Sequence, residues 1–152
     1  MNKYFIGPLI LFGGFVFTQT CPPQDTVLIV PTQNLWNLPN ENGWDGLEVM
    51  TWNVKQFPLS NNTVSYLNEV LTDLLPDVVV FQEINDLSSF QDLSSAITAY
   101  DFVNTNYGYD LGLAVRSDCI TILDYETLFP NNGYEFAYRY PLKAELRWSC
   151  GD

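Results

Sequence analysis

The strongest constraint on the fold of this chain is an unbroken apolar run, VVVF, at residues 78–81. A strand with one face in water alternates apolar and polar residues, whereas a continuous run is typical of a strand that is covered on both faces. Asp77 and Gln82 bound the run, and Pro76 lies just before it. We therefore expect a short buried strand with other structure packed against each of its faces.

An amphipathic helix and an earlier strand precede this run. Apolar residues recur at helical spacing from Val64 to Leu75, the residues at 61–63 (NNT) offer an N-cap, and Pro76 ends the pattern. Residues 47–54 (LEVMTWNV) are rich in β-forming residues and predict a strand. Strand, helix and strand in this order predict a right-handed βαβ unit with parallel strands.

The rest of the chain changes character after Tyr100. Before that point Ser88 and Gln91 have the spacing of a capping box, which predicts a short second helix. After it, strands are predicted at 111–115, 120–129 and 144–148, with a turn at 131–133 (NNG), and no helix. The predicted class is therefore α/β (α+β), with a βαβ start followed by mostly antiparallel strands.

Composition narrows the chemistry. The 152 residues allow one domain, and 6 Lys and Arg against 18 Asp and Glu give a net charge of −12. Such a surface lacks the basic footprint that holds a nucleic-acid backbone, so a phosphate substrate would need a metal cation as intermediary. The sequence also contains no His, which removes the commonest general base and zinc ligand.

The first residues predict export. Lys3 followed by an apolar stretch up to Phe17 is too short for a membrane span and typical of a signal peptide, which we place at residues 1–20. The protein is then secreted or periplasmic, with an uncleaved N-terminal anchor as the alternative. Residues 21–45 are Pro-rich and predict an extended lead-in or linker, and residues 46–152 form the domain.

The cysteines leave two questions open. Cys21 follows the apolar stretch directly, so lipidation there would make the chain a membrane-tethered lipoprotein, although the preceding TQT is a poor match to a lipidation signal. Cys119 and Cys150 either form a disulfide in an oxidising compartment or stay as two buried thiols.

Two polar residues mark the candidate site. Asn53 ends the first predicted strand of the βαβ unit, and Glu83 ends the second. The carboxyl ends of neighbouring parallel strands meet at one crevice, which is where such sheets bind ligands. A carboxylate and an amide oxygen suit Mg²⁺ or Mn²⁺, which keep several waters for a substrate phosphate. The alternative is that both residues are turn formers or solvated caps.

The residues around this pair carry a family resemblance. TWNV at 51–54, the helix, and PDVVVFQE at 76–83 resemble the opening of the endonuclease/exonuclease/phosphatase superfamily. LGLAV at 111–115 looks like a later strand of that family, and FAYRYPL at 136–142 looks like its Arg-x-Pro stretch. The resemblance covers about residues 46–148 and only the N-terminal half of the family domain.

This resemblance implies a fold, a cofactor and roles for individual residues. The fold would be half of a four-layer αββα sandwich. Asn53 and Glu83 would be catalytic residues, with Glu83 binding Mg²⁺ or Mn²⁺ and Asn53 lying beside the metal and the scissile phosphate. Asn53 and Arg139 would contact the substrate, although Arg139 could equally close a surface ion pair. The family's substrates include nucleic acids, phospholipids and phosphoinositides.

The chain also departs from the family pattern. It matches neither the family's later Asp-x-Asn motif nor its motifs that contain His, so general acid–base work and water activation are not assigned to any residue. We therefore expect an exported, metal-dependent phosphoester hydrolase that is truncated, inactive alone and complemented by a C-terminal half. A non-catalytic exported binding domain and a non-functional fragment remain the alternatives.

Overall fold

The computed structural model describes residues 5–10, 38, 46–106 and 110–149. The elements in these residues are β1 (Phe5–Ile10), β2 (Val49–Phe57), α1 (Thr63–Leu74), β3 (Val78–Ile84), α2 (Leu87–Ala96), β4 (Tyr100–Asn104), β5 (Asp110–Arg116), β6 (Ile120–Thr127) and β7 (Leu142–Trp148). Neither helix of this described part has the length and apolar character that crossing a bilayer requires.

The strands form two sheets. The first, here called the helix-covered sheet, has the order β2-β3-β5-β4, and the second, the outer sheet, has the order β1-β7-β6. β2 and β3 are parallel, with Trp52 opposite Phe81, and α1 connects them, so the predicted βαβ unit is confirmed. Every other strand pair is antiparallel among the described residues.

Two separate cores explain the continuous apolar run in β3. Val79 and Phe81 point into a core shared with α1 and α2, here called the helix-side core, which includes Leu71 and Leu93. Val78 and Val80 point the other way, into a core shared with the outer sheet, whose members include Leu142, Ala144 and Ile120. The described layers are therefore helices, sheet and sheet, which confirms an α+β class and a partial sandwich.

The N-cap of α2 differs from the predicted one, whereas that of α1 lies within the predicted residues 61–63. The capping residue of α2 is Asp86 and not Ser88, because the Asp86 carboxylate accepts hydrogen bonds from the backbone N–H groups of Ser88 and Ser89. The hydroxyl of Ser89 and the N–H of Ser88 hold the pKa of Asp86 below its usual value. At α1 the N-cap is Asn62, whose side chain makes no capping bond; the Thr63 hydroxyl instead accepts the N–H of Ser60.

Strand β7 lies in the middle of the outer sheet. Its inner face holds Leu142 and Ala144, while Lys143 on its solvent face pairs with Glu126 of β6 at 2.6 Å. On the opposite edge β1 is antiparallel to it, with Phe5 opposite Trp148. The predicted signal peptide thus includes a segment that pairs with the domain in the full-length chain, and its cleavage remains a prediction.

Several predictions concern residues outside the described part. Cys21, the rest of the predicted leader, and the 21–45 lead-in apart from Leu38 fall there, and so does Cys150. Cys119 is buried, and burial above all raises the pKa of its thiol to about 11. Such a thiol is a poor nucleophile at neutral pH, whereas its predicted pairing with Cys150 stays a prediction.

Candidate functional site

A bulge at the end of β3 decides where Glu83 points. Phe81 and Ile84 both lie in the helix-side core, so the two residues between them cannot follow strict alternation. Glu83 adopts a left-handed backbone conformation with φ of 63°, and the pairing of β3 with β5 shifts register between Phe81 and Ile84. The bulge therefore turns the Glu83 side chain away from the helices.

The end of β2 carries a matching irregularity. Val54 and Phe57 are both buried in the helix-side core, and Lys55 and Gln56 between them have φ values of 41° and 56°. The pairing of β2 with β3 shifts register between Asn53 and Phe57. Left-handed conformations are rare in residues other than Gly and concentrate where structure serves a function. Three of them lie at the adjoining ends of β2 and β3.

The two bulges bring Asn53 and Glu83 together. Nδ2 of Asn53 donates a hydrogen bond to Oε1 of Glu83 at 3.0 Å. Oδ1 of Asn53 accepts the backbone N–H of Lys55 at 2.9 Å, which fixes the orientation of the amide. Asn53 is exposed and Glu83 is half-buried, so a carboxylate held in place by an amide faces solvent at the carboxyl ends of two parallel strands.

A second side-chain hydrogen bond between the two strands supports this arrangement. Nε2 of Gln82 donates to Oγ1 of Thr51 at 3.1 Å, again linking β3 to β2 by side chains. Thr51 and Asn53 alternate with Trp52, which packs in the helix-side core. Thr51 and Asn53, and the side-chain hydrogen bonds that they make, therefore lie on the same face of the helix-covered sheet, the face toward the outer sheet.

Close packing beneath the bulge supports Ile84, the residue after Glu83. Gly112 of β5 lies opposite Phe81, and a Cβ atom added there would lie 2.5 Å from Cζ of Phe90 and 2.6 Å from Cδ1 of Ile84. A side chain at this position would require Phe90 or Ile84 to shift. The Gly in the LGLAV segment is thus favoured by packing next to the candidate site.

We expect Gly112→Ala to destabilise the protein by about 1–3 kcal/mol, because the methyl group overpacks a closed core. The displacement of Ile84 would also disturb the position of Glu83. Thermal unfolding measures the first effect. The double variant Gly112→Ala/Phe90→Leu should lose less stability than the sum of the two single variants, and strict additivity would show that Phe90 is not the obstacle.

The donor set fits a hydrated hard cation. Glu83 offers a carboxylate, and Asn53 keeps one lone pair on Oδ1 beyond the bond from Lys55. Mg²⁺ is commonly held by one or two carboxylates and several waters. In the described ranges no group of three or more His, Cys, Asp or Glu side chains is arranged to hold a metal ion.

Two acidic residues near the motifs have structural roles, and Arg139 lies in a loop. Arg139 is exposed in the connection between β6 and β7, which belong to the outer sheet, and its contact with the substrate stays a prediction. Asp77 is 3% exposed at the opposite end of β3, where it accepts the N–H of Glu48 and pairs with Arg116 at 3.3 Å. Asp86 caps α2.

The bulges and the place they give to Lys55 were missed by the sequence analysis. A signal for them exists, since VKQF at 54–57 and FQEI at 81–84 both contain two polar residues between two apolar ones. If both apolar residues of such a quartet face one core, a strand needs an extra residue between them. The same spacing at both strand ends predicts paired bulges.

Two solved structures of tyrosyl-DNA phosphodiesterase 2 (TDP2) from D. rerio are similar to this chain. The enzyme humanized by 14 mutations matches with a TM-score of 0.55 and 28% identity over 68% of this chain and 42% of that one. The enzyme complexed with a single-strand DNA product matches with a TM-score of 0.57 and 27% identity over the same shares.

The chain therefore spans less than half the length of these solved structures. No family model and no curated protein matches its sequence. The fold is nevertheless of the phosphodiesterase and nuclease type. These matches confirm the predicted resemblance of the chain to the endonuclease/exonuclease/phosphatase superfamily, of which tyrosyl-DNA phosphodiesterase 2 is a member.

Proposed function

We propose that this chain provides the metal-binding part of a metal-dependent phosphoester hydrolase. The observation that carries the proposal is the hydrogen bond from Asn53 to Glu83, made by two bulged strand ends that are adjacent in a parallel pair. Glu83 would bind Mg²⁺ or Mn²⁺, and Asn53 would orient the carboxylate and lie beside the scissile phosphate. The similarity to a phosphodiesterase supports the same reaction class.

When bound, the cation would supply charge stabilisation for the phosphoryl and leaving oxygens. The chain itself supplies positioning. The amide of Asn53 holds Oε1 of Glu83 in one direction, and the backbone N–H of Lys55 prevents that amide from rotating. A carboxylate fixed in this way loses little rotamer freedom when it binds a cation, which favours binding.

For the substrate we propose a nucleic-acid phosphodiester, because one similar structure is a complex with a single-strand DNA product. The net charge of −12 opposes long-range attraction of such a substrate. A cation at Glu83 would have to offset that repulsion locally, so we expect binding to depend on the metal. Binding of phospholipid or phosphoinositide in place of nucleic acid would contradict this proposed substrate.

Water activation requires a general acid–base group. The sequence has no His, and Asp77 and Asp86 have structural roles in the fold. We propose that a complementing polypeptide carries the missing acid–base groups, and that the chain acts after export to the periplasm or the exterior. Arg139 stays a candidate for phosphate contact.

The proposal predicts that Glu83→Gln weakens Mn²⁺ binding at least tenfold, since a neutral amide replaces the proposed carboxylate ligand. Electron paramagnetic resonance of Mn²⁺ titrated with the full chain measures the affinity. Glu126→Gln is the matched control, because it makes the same change on the solvent face of the outer sheet. Equal affinity in the wild type and Glu83→Gln would refute the metal assignment.

A second measurement addresses the substrate. The full chain should bind a single-stranded DNA oligonucleotide in the presence of Mg²⁺ but not in its absence. Addition of Mg²⁺ should not increase binding of the oligonucleotide to Glu83→Gln. Retention by phosphoinositide-containing vesicles without retention of the oligonucleotide would move the proposed substrate class from nucleic acid to lipid.

A further inference from the structure

The Asn53–Glu83 pair leaves one charged side chain at the same strand end without a role. Lys55 follows Asn53 by two residues, its side chain is exposed, and its backbone N–H bonds to Oδ1 of Asn53. Among the described residues no ion pair joins Lys55 to a carboxylate. A residue with a left-handed backbone conformation and an exposed basic side chain therefore lies two positions from Asn53.

Positive charge is scarce in this protein, which makes its position informative. The sequence has 6 Lys and Arg against 18 Asp and Glu. Arg116 pairs with Asp77 and Asp118 at the other end of the helix-covered sheet, and Lys143 pairs with Glu126 on the outer sheet. Lys55 is the basic residue that β2 places at the end shared with Glu83.

The backbone leaves the Lys55 side chain little choice of direction. Val54 and Phe57 are anchored in the helix-side core, so the bulge directs the residues between them outward. The φ of 41° at Lys55 is one that residues other than Gly rarely adopt. A regular strand would avoid this strain but would also send Lys55 and Phe57 to the same face.

We propose that Lys55 forms an anion-binding site at the bulged end of β2 and takes an oxygen of the substrate phosphate. The inference rests on the proposed function and deepens it, because it assigns the residue that receives the charge of the phosphodiester. An ammonium group is a compact point charge with three donors and commonly binds phosphate in this role. Glu83 with its cation and Lys55 would then contact different oxygens.

The test uses inorganic phosphate as the probe and the full chain as the protein. Phosphate affinity is measured by ³¹P nuclear magnetic resonance, with and without Mg²⁺, for the wild type, Lys55→Gln and Lys143→Gln. We expect Lys55→Gln to weaken phosphate binding about tenfold, the effect of one charge-assisted hydrogen bond. Lys143→Gln removes the same charge on the outer sheet and should bind phosphate like the wild type.

Mn²⁺ affinity separates binding from a structural role. Loss of a nearby positive charge should leave Mn²⁺ binding unchanged or slightly tighter, while phosphate binding weakens. A collapse of the β2 bulge would instead weaken both. Lys55→Arg, which keeps the charge, should restore most of the phosphate affinity.

The outcomes distinguish this inference from the proposed function. Mn²⁺ binding at Glu83 with equal phosphate affinity in Lys55→Gln and Lys143→Gln would overturn the Lys55 site and leave the metal site standing. Phosphate binding that depends on Lys55 without any Mn²⁺ binding would overturn the metal site and leave the Lys55 site standing. Parallel loss of Mn²⁺ and phosphate in Lys55→Gln would show a structural role and also overturn the inference.

Discussion

Replacing Phe90 by Ala should destabilise the protein by about 3–5 kcal/mol, a large share of the stability of a domain of this size. Phe90 is 2% exposed at the centre of the helix-side core. Its ring meets those of Phe57, Phe81 and Phe102 edge to face, with centroids 6.4, 5.5 and 5.5 Å away. Truncation would open a cavity between α2 and the sheet that these neighbours cannot close.

Chemical denaturation measures this effect, with Tyr134→Ala as the control. Tyr134 is also aromatic but is 84% exposed, so its truncation should change the free energy of unfolding by less than about 0.5 kcal/mol. Similar losses in the two variants would mean that α2 is not packed on the sheet as described.

Replacing Arg116 by Ala should destabilise the protein by about 3 kcal/mol at neutral pH, because it leaves the buried carboxylate of Asp77 without its cationic partner. Arg116 bonds to Asp77 at 3.3 Å and to Asp118 at 2.6 Å. The backbone N–H of Glu48 donates to Asp77 at 3.0 Å and would remain. One hydrogen bond cannot replace the lost charge pairing.

The pH dependence of this loss follows from the pKa of Asp77. Burial raises that pKa above its ordinary value, despite the opposing effects of the Glu48 N–H and of Arg116. A raised folded-state pKa favours the protonated carboxyl on folding, so stability is greatest below the unfolded pKa and falls as pH rises through the folded one. Without Arg116 the pKa rises further, and the destabilisation should shrink as the pH is lowered from 7 toward 4.

A double-mutant cycle checks the cause. Asp77→Asn removes the buried charge, so Arg116→Ala should be much less harmful in that background. Equal loss in both backgrounds, or a loss that does not change between pH 7 and pH 4, would show that Arg116 acts through packing and not through Asp77.

The strength of the local patterns explains which elements the sequence predicted. The parallel pairing of β2 and β3 follows from the apolar run at 78–81 and the helical spacing from Val64, and the structure has both. The cap of α2 was placed on Ser88 and lies at Asp86. Asp and Ser are both favourable N-cap residues, so the sequence alone does not decide which of two such neighbours caps the helix.

The candidate site was likewise predicted only in part from the sequence. That Asn53 and Glu83 come close follows from their positions at the ends of adjacent parallel strands, and the 3.0 Å hydrogen bond between them agrees with it. Their roles toward a metal and a phosphate remain proposals. Alternation alone would place Glu83 on the side of Phe81, facing the helices, where a carboxylate is disfavoured.

By itself, the sequence determined the two helices, the parallel pair of β2 and β3 and the two faces of β3, because apolar periodicity is a local property that each segment carries alone. It predicted neither β1 nor β4 as a strand. Only the tertiary structure decided the direction of Glu83 and Lys55. Phe81 and Ile84 are both buried in the helix-side core, and so are Val54 and Phe57. Burying these four side chains is favourable enough to hold the strained residues between them in left-handed conformations.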